Sequence, residues 1–275
     1  MKSYLGVVVV TRDPRATIEP VLRSIADQSE PAERVVVVDC NSADASWMAA
    51  WQRRPGFDCV RLDRNAGFTG GCNEGWRRLN ARDGWVLFLN PDVIVPPALF
   101  ARLRKLAAEE RAANLAALSV RLLGWDFNAA RPTGRVDSTG IFPCWHGCRD
   151  RRRDAPLAGD RIETVPALCG AFFFARVAAL RDVGFPDGAV WDNRYFAYKE
   201  DIELSLRLRR AGGKLGLWHG AEAWHGRGWA TDRRQMPRSA RLLSARNEVR
   251  LHATYMPWRL PGSLIKWAAV RWLNL

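Results

Sequence analysis

The feature that most constrains this chain is a succession of short apolar segments in its first third, each closed by a polar residue and separated by helix-forming stretches. Leu5 to Val10 is a continuous apolar run, and Arg34 to Val38, Phe57 to Leu62 and Trp85 to Leu89 follow. Runs without alternation read as strands buried on both faces, as a parallel sheet demands. Between them lie Ala16 to Gln28, with Ile18, Val21, Leu22 and Ile25 on one face, then Ala45 to Arg53 and Thr69 to Asn80. The order β-α-β-α-β-α-β predicts an α/β fold with a parallel sheet and helices on both faces. Ligands of such sheets bind beyond the carboxyl ends of the strands. Thr11, Asp39, Asn65 and Asp92 punctuate those ends.

The pattern then loosens. Pro97 to Arg111 is spaced as a helix, and Leu115 to Leu122 reads as a strand. Residues 124 to 166 are rich in Gly, Pro, Arg and Trp, and read as an irregular insertion with short antiparallel strands. Leu168 to Ala175 is another apolar strand, with a short helix near Val177 to Val183. Glu200 to Ala211 alternates like a strand at Ile202, Leu204, Leu206 and Leu208. Acids at its start, Arg207, Arg209 and Arg210 at its finish and Gly212-Gly213 beyond favour a helix. Lys214 to Trp218 reads as a strand and Pro237 to Tyr255 as a long helix.

The net charge is +13, and the basic residues are 37 Arg and 5 Lys. Such an excess suits nucleic acid, an anionic membrane surface or a phosphorylated substrate; an arginine-rich genome accounts for the Arg/Lys ratio but not for the charge. Six scattered Cys and no secretory leader before the first strand point to free thiols in a reducing cytosol. Cys144-x-His146-x-Cys148 fits no standard zinc spacing. No stretch is long and apolar enough to span a bilayer; Leu260 to Leu275 is broken by Lys266 and Arg271.

Four segments could carry chemistry. Asn65 to Gly75, with Gly67, Gly70 and Asn73, is a glycine-rich turn opening a helix, which suits phosphate or sugar, or is simply a tight turn. It matches neither the dinucleotide fingerprint nor a P-loop. Asn90-Pro91-Asp92 puts a carboxylate at a strand end, as a divalent-metal ligand or a turn. Glu200-Asp201 opens a helix, as a cap or as a general base beside a cleft. His225, in Trp224-His225-Gly226-Arg227, could meet metal or phosphate or be structural, with His219 a competitor.

Their order resembles a family 2 glycosyltransferase of the GT-A fold, in the branch of bacterial rhamnosyltransferases, over residues 4 to 230. Val7 to Thr11 resembles the family's opening strand, and Val38-Asp39-Cys40-Asn41-Ser42 the strand end whose aspartate reads the base. Asn65 to Gly75 is similar to the family's glycine-rich segment, and Asn90-Pro91-Asp92 stands where its Asp-x-Asp metal motif falls. Cys169-Gly170-Ala171-Phe172 resembles the acceptor-side segment. Phe196 to Leu204, with Glu200-Asp201, resembles the motif whose aspartate is the base, and His225 a late histidine near metal and diphosphate. The chain departs at Asn90, which replaces the first acid, at Asp13 and at Cys40.

The resemblance implies a Rossmann-like GT-A domain over 1–232, with a donor half to about 122, an acceptor half from 123 and a helical extension over 233–275. It implies an inverting transfer from a nucleotide-diphosphate sugar, rhamnose among the candidates, to a hydroxyl of a glycan or lipid-linked acceptor in cell-surface polysaccharide synthesis. Asp201 would be the base. Thr11, Asp39, Asn65, Gly67, Gly70, Asn73 and Asp92 would hold the donor, and Gly170 and Glu200 would face the acceptor. Asp92 and His225 would bind Mg²⁺ or Mn²⁺. From Arg233 to Leu275 the tail has nine basic residues and one acid, Glu248, interleaved with Trp258, Trp267 and Trp272. Leu264, Ala268, Trp272 and Leu275 fall on one side of a helix. This reads as an interfacial segment drawn to anionic lipid at the inner membrane face, or as a helix docked on the protein.

Three rivals fit less well. Acidic strand ends and the lack of any nucleic-acid-binding motif oppose a nucleic-acid partner. A sugar nucleotidyltransferase needs a glycine-rich basic loop after the first strand, and Thr11-Arg12-Asp13-Pro14 is not one. Retention of both Asp92 and Asp201 opposes a non-catalytic carbohydrate binder.

Overall fold

The computed structural model describes residues 3–14, 16–144, 147–153, 155, 157, 159–227 and 236–273. Four parallel strands form as the apolar runs require: β1 (Leu5–Thr11), β2 (Arg34–Asp39), β3 (Phe57–Arg61) and β4 (Trp85–Leu89). The short β5 (Val93–Ile94) follows β4. The rest of the chain adds β6 (Leu115–Asp126), β7 (Arg131–Ser138), β8 (Ile141–Cys144), β9 (Gly147–Asp150), β10 (Ile162–Thr164), β11 (Phe172–Arg176) and β12 (Lys214–His225). The main sheet runs β10-β12-β6-β11-β4-β1-β2-β3, with β5 on β12 and β7 on β6. β11 is antiparallel to both neighbours, β4 and β6, so the sheet is mixed but mostly parallel.

β1 shows why the run is continuous. Val7 and Val9 enter one core, Val8 and Val10 the other, and neither layer leaves the strand a wet face. One layer is closed by α1 (Ile18–Ala26), α2 (Met48–Gln52) and α4 (Leu99–Ala107). The opposite layer is closed by α3 (Gly67–Leu79), α5 (Val177–Asp182) and α6 (Glu200–Arg210). α1 buries Ile18, Val21, Leu22 and Ile25, the face that its spacing specifies.

The differences from expectation are local. The Ala45 to Arg53 helix shrinks to the five residues of α2, and the helix expected to Arg111 ends at Ala107, with a 3₁₀ turn at Glu110–Ala112. The strand expected from Leu168 begins at Phe172. β12 runs on to His225, because β6 and β5 both offer it backbone partners. All six Cys are free, and His146 of the Cys-x-His-x-Cys segment lies outside the described residues.

α7 (Arg238–Tyr255) and α8 (Leu260–Trp272) complete the chain. α7 docks on the catalytic body: Leu251 joins the core, and Tyr255 donates to Glu203 of α6 at 2.7 Å. α8 packs on α7 but keeps Leu264, Ile265, Trp272 and Leu273 exposed. Thus α7 is docked, and α8 leans on α7 with one side open. Leu275 and the expected boundary at 232–233 lie outside the described residues. No described helix is long and apolar enough to cross a membrane.

Candidate active site

A cavity of about 940 Å³ opens at the carboxyl edge of β4 and is walled on its far side by β8, β9 and α8. Asp92, Gly170, Glu200, Asp201 and His225 all line it. They come from four separate stretches of chain, so the convergence is a product of topology.

Strand pairing brings Asp92 to His225. β5 runs antiparallel to β12 with His225 opposite Val93, and the Gly226 N–H donates to the Asp92 carbonyl at 2.8 Å. The two side chains then meet, His225 Nε2 lying 3.3 Å from Asp92 Oδ1. The other ring nitrogen, Nδ1, meets Asp137 Oδ2 of β7 at 2.8 Å. Burial pulls the imidazole pKa down, but Asp92 and Asp137 outweigh it and push it up to about 9. Arg227 continues the chain, with Nε 2.7 Å from Asp137 and a guanidinium N–H donating to Asp150 at 2.9 Å. His219 is elsewhere, held by Glu163 and the Leu157 N–H.

Glu200 and Asp201 open α6 behind a strained turn. Phe196, Tyr198 and Lys199 have φ of 63°, 69° and 72°, a region that favours glycine. Asp201 accepts from the Gly170 N–H at 3.0 Å and from the Ile202 N–H at 2.8 Å. Gly170 makes this approach possible, since a Cβ there would stand 3.1 Å from that of Asp201. Burial raises the Asp201 pKa, and the two N–H donors oppose the rise. Burial beside Asp201 pushes Glu200 up to about 8, and Glu200 Oε2 is buried without a hydrogen-bond partner among the described residues. Near neutrality Glu200 therefore keeps its proton.

Thr11 and Asp39 lie farther along the same edge, opposite each other at the ends of β1 and β2. Neither lines the cavity. Thr11 Oγ1 is buried and unpartnered among the described residues. Asp39 is fully buried, and its carboxylate accepts from the Ser42 N–H at 3.0 Å and from the Ser42 hydroxyl. The departure Asp13 closes the same loop pair, accepting from the Ala43 N–H at 2.7 Å.

Phe68 carries the glycine-rich segment to the cavity wall, while Asn65, Gly67, Gly70 and Asn73, like Thr11 and Asp39, are not among the lining residues. Asn65 accepts from the Gly67 N–H at 3.0 Å as α3 begins. Gly67, at φ 72°, lies where a Cβ would stand 2.5 Å from Phe196, and Gly70 packs on Ala66. Asn73 is buried; its amide donates to the Trp191 carbonyl and Asn193 and accepts from the Val190 and Trp191 N–H groups. With every polar position taken, Asn73 shapes the wall and has none left for a donor sugar.

A family model described as Glycosyl transferase family 2 matches residues 6–184. The chain belongs to glycosyl transferase family 2. An N-acetylglucosaminyl-diphospho-decaprenol L-rhamnosyltransferase of Mycobacterium tuberculosis is 29% identical over 251 residues, covering 85% of this chain and 79% of the relative. The fold is GT-A, as in GalNAc-T7 with UDP, GalNAc and Mn²⁺ (TM-score 0.71, 15% identity), where the match covers 92% of this chain but only 48% of the other. A Pyrobaculum calidifontis mannosyltransferase, PcManGT, in complex with GDP-Man and Mn²⁺ matches with a TM-score of 0.61 at 17% identity, over 98% and 76% of the two chains.

The donor set of this transferase suits a divalent metal. Among the described residues no three His, Cys, Asp or Glu side chains form a ready cage. Mg²⁺ and Mn²⁺ sites on nucleotides need fewer protein ligands, because the phosphates supply the rest. Asp92 with His225 Nε2, backed by Asp137 on Nδ1, has the carboxylate–histidine form that orients a metal-binding imidazole.

Asp137 and Asn247 are the residues that sequence reading missed. From α7, the Asn247 amide nitrogen lies 2.7, 2.8 and 2.9 Å from the carbonyl oxygens of Tyr195, Ala197 and Tyr198, which share its two N–H donors. These carbonyls belong to the strained turn before Glu200-Asp201. Asn247→Ala would leave all three without this donor, at about 1–3 kcal/mol for each buried group that finds no water. We expect a lower Tm and a roughly 10–100-fold slower transfer, with donor affinity little changed, since a misplaced base costs rate before binding. Thermal melts and initial rates on one preparation check it; a lower Tm with an unchanged kcat would make the clamp purely structural.

Proposed function

We propose that this glycosyltransferase is an inverting, divalent-metal-dependent enzyme. In this reading it moves a sugar, rhamnose by likeness to the mycobacterial relative, from a nucleotide diphosphate to a lipid-linked glycan acceptor. Its place would be the inner face of the plasma membrane, in cell-surface polysaccharide synthesis, with 1–232 as the catalytic unit and 233–275 as the membrane-side extension. The observation that carries the proposal is one cavity with two carboxylate centres: Asp92 with His225 on the sheet edge, and Asp201 at the start of α6.

Each residue then has a task. Asp201, ionised and fixed by Gly170, takes the proton from the acceptor hydroxyl as that oxygen attacks the anomeric carbon. Attack from the side opposite the leaving diphosphate gives inversion in one displacement. Glu200, protonated beside it, adds no second negative charge to the acceptor side. Thr11 and the Asp39–Ser42 loop flank the nucleoside. Asp92 and His225 would hold Mg²⁺ or Mn²⁺, which when bound neutralises charge on the diphosphate. Nucleic acid has no place in this scheme.

The test is a thermal-shift screen of nucleotide diphosphates and their sugars, with and without Mn²⁺. We expect one nucleotide family to stabilise the protein, by about 2.7 kcal/mol at a hundredfold excess over Kd, and more with metal. Proton NMR of the product then reads the anomeric configuration. Stabilisation by nucleic acid alone, or a retained configuration, would overturn the proposal.

A further inference from the structure

Acids and bases both line the cavity: Asp92, Asp150, Glu200 and Asp201 with Arg149, Arg152 and Arg227, and two lysines at the corner below α8. There Lys199 and Lys266 line the cavity beside Cys148. Both act on Glu248, which is buried on α7; Lys266 Nζ donates to it at 2.6 Å. Arg259 supports the same corner, donating to the Gly147 carbonyl at 3.0 Å. Two lysines thus face one buried carboxylate, Glu248. No carboxylate among the described residues lies within ion-pair distance of Lys199. Lys199 is also close enough to Asp201 to hold its pKa down.

The outer side of this corner is apolar. Every large hydrophobic side chain that the described residues leave exposed lies between 258 and 273, with Trp258, Ile265 and Trp272 at 74, 71 and 75%. α8 carries Lys266 and Arg271 and no acid. One helix therefore shows tryptophan and isoleucine to the outside and a lysine to the cavity, the division expected where a bilayer surface meets an active site.

We propose that the corner of Lys199 and Lys266 is a subsite for the acceptor's own phosphate, whose lipid leaves along the exposed face of α8. This rests on the lipid-linked acceptor reading above. In a glycosyl phosphate one sugar ring separates the phosphate from the ring hydroxyls. A phosphate at Lys199 therefore puts such a hydroxyl within reach of Asp201.

The experiment compares two acceptors in neutral detergent: N-acetylglucosaminyl diphosphate on a short alkyl chain, and the same sugar as an uncharged alkyl glycoside. The donor is the nucleotide sugar that the screen selects. Wild type should prefer the charged acceptor at least about tenfold in kcat/KM, mostly through KM. Lys199→Gln should lower that ratio roughly tenfold. Its effect on the titration of Asp201 touches both acceptors and cancels in the ratio. Lys266→Gln should act alike, although it also strips Glu248 of its partner, so Lys199→Gln decides if that variant folds poorly. An unchanged ratio in Lys199→Gln, or equal use of both acceptors by wild type, overturns the subsite and leaves the transferase reading standing. A preference that emerges only with anionic phospholipid vesicles assigns the corner to bulk lipid headgroups and overturns the acceptor assignment. Transfer to neither acceptor overturns the lipid-linked reading and the subsite with it.

Discussion

Asp201→Asn is expected to reduce transfer by roughly 10²–10⁴-fold, the contribution of a general base, while stabilisation by the nucleotide sugar persists. The substitution keeps size and polarity, and the Gly170 N–H still has an oxygen to meet. What is lost is the ability to take a proton. The neighbouring acid supplies the control: Glu200→Gln imitates the protonated form that burial favours and should retain most activity. The pH dependence carries a sign. A carboxylate base works ionised, and burial raises the Asp201 pKa, so kcat should fall on the acid side at a higher pH than an unburied aspartate would give. Stability runs the other way. The folded chain holds the Glu200 proton more tightly than the unfolded chain, so this group's stabilisation is full below its ordinary value of 4.5. It is lost as pH rises toward about 8. Glu200→Gln should flatten that loss in thermal melts. Full transfer by Asp201→Asn would remove the base from this position.

The parts of this molecule that the sequence discloses are those whose signal is local. β1 to β4 are legible because strands buried on both faces must be apolar throughout, and α6 because its end charges outvote its alternating leucines. Asp201 and Asp92 are legible from the order of motifs. Asp137 is not: it sits in a stretch of weak periodicity, and its meeting with His225 exists only after β7, β6 and β12 have paired. Asn247 is one polar residue in a helix full of them, and only the docking of α7 puts its amide under three carbonyls. The glycine-rich segment is legible only in part. Glycine declares that something approaches closely, but not what. At Gly71 and Gly75, one helical turn apart, the approaching atoms are Val10, Cys40 and Val8 of the sheet, and at Gly67 they are Phe196.

Asp92→Ala should weaken binding of the nucleotide sugar and remove most of its dependence on Mn²⁺. Two opposing effects decide the size. Removing the carboxylate takes away a metal ligand, but it also removes a negative charge from a site that must receive a diphosphate. Without metal the second effect favours the variant, so metal-free nucleotide binding should be equal to or slightly tighter than in wild type. With saturating Mn²⁺ the first effect dominates, and the variant should bind roughly 10–100-fold more weakly. The crossing of the two curves is the signature, and a calorimetric titration with and without metal reads it. Asp137→Asn separates support from ligation. It keeps the shape beside His225 but no longer offers a carboxylate to Nδ1, and loss of such a partner typically costs about 10–100-fold in metal affinity. It should therefore shift the Mn²⁺ titration to higher concentration while leaving metal-free nucleotide binding unchanged. If Asp92→Ala binds the nucleotide sugar as wild type does at every Mn²⁺ concentration, the Asp92–His225 pair is a structural ion pair and the metal, if any, is held elsewhere.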